Sequence, residues 1–464
     1  MIKQLTCALL AAGVLTGCTL APTYERPEAP VAASYPAETE QADGDASTIG
    51  WRNFFPDPRL RILIGTALDN NRDLRIAALR IEEARAQYNI QSADLFPTVN
   101  ATASGNRGRS FVNGTAVTGA NYQVGLGLTA FELDFFGRVR SLKDAALAQY
   151  LATGEAHLAA RISLIAEVAK AYLAELAFNE QYELARQTLE GRETGYKLAK
   201  QRFDVGASSA LDLRLNETLV QSARVSLATL ARQRAQAANA LTLLVGKPLT
   251  DLPAAQTLSE QNIVADIPVG LPSDLLERRP DIRGAEQRLE AANANIGAAR
   301  AAFFPRISLT AGIGTASTEL SGLFDAGSRT WSFMPQLVLP IFDAGRNSAN
   351  LSLTKVRKNI AVADYEKSIQ VAFREVADAL AARGTLNDQI EAQRAVQDAQ
   401  AERLKLSQQR YENGVSSSLD VLDAQRELFT AQQALVQARL LRLTNAVDLY
   451  RALGGGINES TPAP

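Results

Sequence analysis

Gln201-Arg202-Phe203-Asp204-Val205-Gly206 is followed, 409 − 201 = 208 residues later, by Gln409-Arg410-Tyr411-Glu412-Asn413-Gly414. The same offset carries Phe96-Pro97 onto Phe304-Pro305, Gly137-Arg138 onto Gly345-Arg346, and Glu167-Val168-Ala169 onto Glu375-Val376-Ala377. Asp73, Arg75, Arg80 and Glu82 return as Asp281, Arg283, Arg288 and Glu290, and Leu211-Asp212 as Leu419-Asp420. One register kept from Asp73 to Gly246 and from Asp281 to Gly454 is the mark of a tandem duplication. It divides the chain into a first repeat (71–246), a linker (247–280), a second repeat (281–454) and a short tail (455–464) expected to be disordered. The linker holds Pro248, Pro253, Pro268, Pro272 and Pro280 and shows no helical period.

Each repeat reads in the same order. A helix over Leu74–Ala93, and again over Ile282–Ala302, stops before a proline. Two strands follow, separated by a polar, Gly-rich loop. Tyr122, Val124, Leu126 and Leu128 alternate with Gln123, Gly125 and Gly127; Ile307, Leu309, Ala311 and Ile313 alternate with Ser308, Thr310 and Gly312. Trp331, Phe333, Leu337, Leu339 and Ile341 keep the same period, and Val99, Ala101 and Ala103 keep it more weakly. Apolar residues alternating with Gly, Ser, Thr and Gln fit a membrane barrel with a wet lumen, and equally a half-buried soluble sheet. Past Gly137-Arg138 a proline-free helical pattern runs to about Phe203, on the order of 95 Å of helix. Residues 204–209 break it with a glycine and a serine cap, and a second helix returns over Leu211–Val245 to Gly246. The second repeat copies this around a break at Glu412–Ser417. Antiparallel helix pairs of this length need neighbours along their whole length to cover their apolar stripes.

Composition narrows the function. Of 464 residues, 48 are basic and 50 acidic, for a net charge of −2, which leaves no basic scaffold for nucleic acid. The two cysteines, Cys7 and Cys18, exclude a disulfide framework and a cysteine zinc site. The single histidine, His157, is expected on the surface of a long helix, and no phosphate loop or metal spacing is present. Gly206-Ala207-Ser208-Ser209-Ala210 is not a nucleophile elbow. The chain is therefore not read as an enzyme and needs no cofactor. Residues 1–17 carry Lys3, a short apolar core over Leu5–Leu15, and end in Leu15-Thr16-Gly17 before Cys18. That reads as a lipoprotein signal peptide, with Cys18 acylated and the segment 18–70 anchored by it. Beyond Cys18 no run of about 18 apolar residues occurs, so any membrane crossing falls to strands. Two repeats supply four strands, too few to close a barrel; a dimer, trimer or tetramer would give 8, 12 or 16.

The chain resembles the outer-membrane factor lipoproteins of tripartite efflux pumps, the OprM and TolC-like group. The shared stretches are Leu15-Thr16-Gly17-Cys18, Asn71-Arg72-Asp73-Leu74-Arg75, Ala93-Asp94-Leu95-Phe96-Pro97 and Glu132-Leu133-Asp134-Phe135-Phe136-Gly137-Arg138. Leu271-Pro272-Ser273-Asp274-Leu275-Leu276, Arg279-Pro280-Asp281-Ile282, Ile296 to Pro305, and Leu422-Asp423-Ala424-Gln425-Arg426 extend the likeness. The resemblance implies an α+β membrane protein. Its four transmembrane strands, in two hairpins, would be completed by two other copies as a 12-stranded barrel in the outer membrane. Its long periplasmic helical hairpins would form an α-helical tunnel. It also implies a homotrimer docked to a periplasmic membrane-fusion adaptor and an inner-membrane pump of the resistance-nodulation-division type. Drugs, detergents and dyes are the implied cargo. A type I protein-secretion duct and a non-channel structural lipoprotein are the alternatives.

Two kinds of site follow. The helix breaks are turns at the hairpin tips, and the resemblance implies adaptor contact there. The positions are Val205, Gly206, Ser208, Ser209 and Leu211 in one repeat and Gly414, Val415, Ser416 and Ser417 in the other. Just beyond the second turn, Asp420, Asp423 and Arg426 are spaced by three and share a helix face. A ring of such carboxylates favours cations in a narrow pore. The resemblance places a periplasmic gate at Leu419, Asp423 and Arg426, with Tyr411 as latch partner. The positions 208 earlier than Asp423 and Arg426 are Leu215 and Thr218, so these charges belong to one repeat only.

Overall fold

The computed structural model describes residues 19–35, 48–263, 267 and 272–461. The expected signal peptide and Cys18 lie outside the described residues. The chain forms two compact units. One is built from residues 19–28, 80–154 and 284–366; the other from the described parts of 29–79, 155–283 and 367–464.

The first unit is organised around a four-stranded antiparallel sheet in the order β1-β2-β3-β4. The strands are β1 (Val99–Val112), β2 (Thr115–Glu132), β3 (Arg306–Ser317) and β4 (Arg329–Val338). Ala101 pairs with Leu126, Leu126 with Ile313, and Ile313 with Trp331, so one face collects apolar side chains across all four strands. That face is uncovered: Leu126 is 54 % exposed, Ile313 60 % and Trp331 78 %. The opposite face carries Asn100, Thr102, Gly125, Gly127, Thr310 and Gly312. Gly125 and Gly314 pack so closely that a Cβ on either would meet backbone within 2.7 Å. β1 and β4 each keep one unpaired edge.

The first hairpin departs from the sequence reading. Residues 104–112 and 115–121, expected as a polar loop, continue the strands, and the turn is only Asn113-Gly114. Both have positive φ (53° and 78°), the requirement of a two-residue turn that follows the strand twist. β2 also carries a bulge between Leu128 and Phe131, with Ala130 at φ 50°, whereas the β3–β4 ladder runs without a register shift.

Acidic residues tie the sheet to the helix that follows. Glu132 receives both guanidinium arms of Arg138 at 2.7 Å and pairs with Arg306 at 2.7 Å. Asp134 accepts the backbone N–H groups of Val139 (3.1 Å) and Arg140 (2.9 Å), which have no partner within their own helix, at the start of the next helix. The amino-terminal segment runs antiparallel along the helix Pro280–Ala301. Tyr24 donates to Glu286 (3.0 Å), Asn293 to the Pro22 carbonyl (2.7 Å) and Arg300 to the Leu20 carbonyl (3.0 Å). Leu20 therefore lies beside the end of that helix that leads into β3.

In chain order the helices are α1 (Trp51–Phe54), α2 (Pro58–Asn70), α3 (Arg72–Ala93), α4 (Arg138–Asp204), α5 (Ala210–Val245), α6 (Leu275–Arg278), α7 (Pro280–Ala301), α8 (Arg346–Glu412) and α9 (Ser418–Ala452). α4 and α8 are each 67 residues long and start and end at the repeat offset. The linker is less irregular than its prolines suggest: it contains 3₁₀ turns at Leu258–Glu260 and Pro272–Asp274, besides α6. The first is stabilised by a capping box between Thr257 and Glu260. The tail is likewise ordered as far as residue 461. Trp51 and Arg52 donate backbone N–H groups to the Asn458 and Glu459 carbonyls, each at 3.1 Å.

The core of the second unit gathers Trp51, Phe54, Phe55, Leu60, Ile64 and Tyr172, all at most 1 % exposed. Phe54 stacks on Tyr450 at 3.9 Å between ring centroids. Buried Asp57 caps α2 through the N–H groups of Arg59 and Leu60, and accepts from the Tyr172 hydroxyl (2.8 Å) and Gln261 (2.7 Å). Burial, with the hydrogen bond to Asp57, raises the Tyr172 hydroxyl above its ordinary pKa.

The duplication is also visible in one buried contact. Asn71 donates to the Leu244 carbonyl (2.9 Å), and Arg279 donates to the Ala452 carbonyl (3.0 Å), with 279 − 71 = 452 − 244 = 208. Arg279, 7 % exposed, further pairs with Asp281 (2.6 Å) and Glu375 (2.8 Å). Burial works to raise the Asp281 carboxyl, but the Arg279 guanidinium holds it below its ordinary value. Asp57→Ala removes a cap and two buried acceptor contacts, an expected cost on the order of 3 kcal/mol. Thermal melting of the helical circular-dichroism signal tests this: a clear fall in midpoint is expected, and an unchanged midpoint would contradict it.

Candidate functional site

The two helical turns are built alike. α4 ends in a Schellman pattern, with Gly206 N–H on the Phe203 carbonyl (2.9 Å) and Ala207 N–H on the Arg202 carbonyl (2.7 Å). α8 repeats it with Gly414 on Tyr411 (3.0 Å) and Val415 on Arg410 (2.9 Å). Gly206 (φ 75°) and Gly414 (φ 72°) occupy the left-handed position that such an ending needs. Val205, Leu211, Val415 and Leu419 stand 56–78 % exposed, an apolar group at the turns that none of the described residues covers. The hydroxyls of Ser208 and Ser416, also related by 208, are shielded from solvent and bond to nothing among the described residues.

The repeats differ in how they cap the returning helix. Ser209 and Asp212 form a reciprocal capping box on α5 (3.1 and 3.4 Å). Ser417 makes no side-chain cap on α9. Instead, the neighbouring Ser418 hydroxyl donates across to Asp212 at 2.9 Å. The hydroxyls of Ser209 and then Ser418 hold the Asp212 carboxyl below its ordinary value. A second link joins the turns: the Arg202 guanidinium donates to the Tyr411 hydroxyl (2.5 Å) and lies 5.3 Å from its ring centroid. The two hairpins enclose a cavity of about 280 Å³ lined by Arg192, Arg202, Tyr411, Glu412 and Val421 among others.

Of the residues expected at a gate, Asp423 and Arg426 form an ion pair on α9. Asp423 has a second partner that the sequence reading missed, Arg403 on α8, at 2.6 Å. Arg426 also meets Glu427 at 3.1 Å. Tyr411 is joined neither to Asp423 nor to Arg426; its partner is Arg202 of the first repeat. Asp420 and Leu419 are exposed, and Asp420 makes no ion pair among the described residues. Reflecting Asp423 through the turn at Gly414 lands close to Arg403, the arithmetic that reveals this partner. Arg202 and Ser418 carry no such local signal.

His157 is partly buried rather than on the surface, and burial followed by repulsion from Arg161 lowers its pKa. No group of residues suited to a metal ion occurs among the described residues. No described helix is long and apolar enough to cross a membrane.

A sheet with one face apolar and uncovered, joined in each repeat to a long helical hairpin, defines a membrane channel component rather than a spacer. The chain belongs to the outer membrane efflux protein family, whose pattern matches residues 63–247 and again 271–455. The two matches are themselves 271 − 63 = 208 apart. Among relatives, outer membrane protein OprJ of Pseudomonas aeruginosa is 52 % identical over 462 residues, covering 97 % of this chain and 96 % of that protein. The toluene efflux pump outer membrane protein TtgC of Pseudomonas putida is 49 % identical over 473 residues, covering 99 % and 97 %. Among solved structures, the open state of the Neisseria gonorrhoeae MtrE outer membrane channel superposes with a TM-score of 0.88. It is 44 % identical, over 96 % of this chain and 100 % of that one. CusC superposes at 0.85, with 43 % identity over 95 % and 100 %. The protein is an outer membrane efflux channel component, a transporter by family.

Arg202→Ala is expected to speed hydrogen exchange of the amides in both turns about ten-fold, the equivalent of one charge-assisted hydrogen bond of ~1.5 kcal/mol. Tyr411→Phe, which keeps the ring and loses the hydroxyl, is expected to fall between it and wild type. Unchanged protection in Arg202→Ala would show that the link contributes nothing.

Proposed function

We propose that three copies of this outer membrane efflux protein close a 12-stranded barrel continued by an α-helical tunnel, forming the passive exit duct of a tripartite multidrug pump. The observation that carries this reading is the open sheet, whose apolar face suits lipid and whose Gly, Ser, Thr and Asn face suits a water-filled lumen. Its edge groups at β1 and β4 need partners in hydrocarbon, and other copies supply them. Subunit number follows the family resemblance.

Acylated Cys18 is the proposed anchor. In the sequence it comes two residues before Leu20, whose carbonyl accepts from Arg300 near the end of the helix that leads into β3. The exposed Val205, Leu211, Val415 and Leu419, with Gly206, Ser208, Ser209, Gly414, Ser416 and Ser417 around them, form the docking surface for a periplasmic adaptor. An inner-membrane resistance-nodulation-division pump supplies the energy. Relatives named for antibiotic, toluene and solvent efflux point to small apolar and amphipathic cargo.

The gate is the Asp423 cluster. By holding Arg403 and Arg426 together, Asp423 ties α8 to α9 beside the turn. Three copies of it, with exposed Asp420, would line the constriction with carboxylates and favour cations. Single-channel recording in a planar bilayer tests the duct and the gate together. A small, mostly closed, cation-preferring conductance is expected for the wild type, with at least a several-fold increase in Asp423→Ala. A correctly folded, lipidated sample without conductance would overturn the duct, and an unchanged conductance in the variant would overturn the gate.

A further inference from the structure

Contacts between the repeats inside one chain carry information about contacts between chains. In a closed ring of tandem repeats, each second repeat has two first repeats beside it: its own and that of the next copy. A pair joining residue i of the first repeat to residue j of the second then has an image across the seam, joining i + 208 to j − 208. Most polar contacts between the repeats lose their chemistry when mapped this way. Lys170–Asp448 maps onto Asp378 and Ala240, Glu180–Arg439 onto Asp388 and Ala231, and Asp212–Ser418 onto Asp420 and Ala210. Arg202–Tyr411 keeps it, since 202 + 208 = 410 is an arginine and 411 − 208 = 203 is a phenylalanine.

Resting on the trimeric reading above, we infer that Arg410 of each copy stacks on Phe203 of the partner subunit, and that this contact is the seam at which the tip of the duct parts. Both residues are available for it. Phe203 is 38 % exposed, and the exposed Arg410 guanidinium has no ion pair, hydrogen bond or ring contact among the described residues. The acidic flank is also conserved by the mapping. Glu412 stands in the cavity beside Arg202 and Tyr411, and 412 − 208 = 204 is Asp204, next to Phe203. One difference sets the order of opening. Phenylalanine offers its ring face to the guanidinium but has no hydroxyl to accept from it. The contact within each chain therefore has a hydrogen bond that the contact between chains lacks, so the seam is the weaker of the two.

A short bis-methanethiosulfonate cross-linker applied to the detergent-extracted full-length protein tests the contact. Phe203→Cys with Arg410→Cys is expected to give covalent dimers and trimers on denaturing gels. Arg202→Cys with Tyr411→Cys is expected to cross-link within the chain and to give no higher band. A particle that is trimeric by light scattering, yet gives no ladder with the 203/410 pair, overturns the contact and leaves the trimer standing. A monomeric particle overturns the trimer and the seam with it. In bilayers, Phe203→Tyr, which returns the hydroxyl, is expected to lower the opening frequency several-fold, and Arg410→Ala to raise it. No change in either variant would overturn the gating role.

Discussion

An unpaired strand edge in hydrocarbon leaves backbone N–H and C=O groups without partners, at several kcal/mol each. The sheet of this chain has two open edges, on β1 and β4, flanking an apolar face that no other part of the described chain covers. Among the described residues no further strand is present to pair either edge, and in the proposed barrel both fall under this constraint. The constraint reaches the helices as well. α4 and α8 bring 67 residues each, far more apolar stripe than one neighbouring helix can bury. In the proposed trimer, association is therefore part of folding rather than an addition to it.

Duplication supplied the geometry, and the two copies differ at the proposed gate. The helix lengths, the Schellman endings and the shielded Ser208 and Ser416 hydroxyls stayed in register. The buried contact to the Leu244 carbonyl is made by an asparagine, whereas its image on Ala452 is made by an arginine that also holds Asp281 and Glu375. At the tips, Asp423 and Arg426 stand where the first repeat has Leu215 and Thr218, and the reciprocal serine–aspartate capping box forms only in the first repeat. In the proposed ring, the unequal repeats give alternating strong and weak seams.

Much of this was legible in the sequence because it depends on local or periodic signals. Helix ends were marked by Gly206, Gly246 and Gly414, and the offset of 208 fixed the architecture before any strand was assigned. The first hairpin was underread because its outer half is made of Gly, Asn, Ser, Thr and Arg, which suit a water-facing strand end and a loop equally. The Asn113-Gly114 turn was the available clue. The links from Arg202 to Tyr411 and from Ser418 to Asp212 were out of reach of helix-face arithmetic. They join different helices, and their chemistry depends on how those helices are rotated against each other. The ordered tail was missed for a similar reason, since its backbone partners around Trp51 lie some four hundred residues away in the chain.

The measurement that bears most directly on this account is the protein mass of the detergent-extracted particle, by light scattering corrected for bound detergent. The account requires a single species of three chains, stable on dilution because its strand edges are mutually paired. A monodisperse, folded monomer would mean that the edges of β1 and β4 find their partners some other way, and would contradict it.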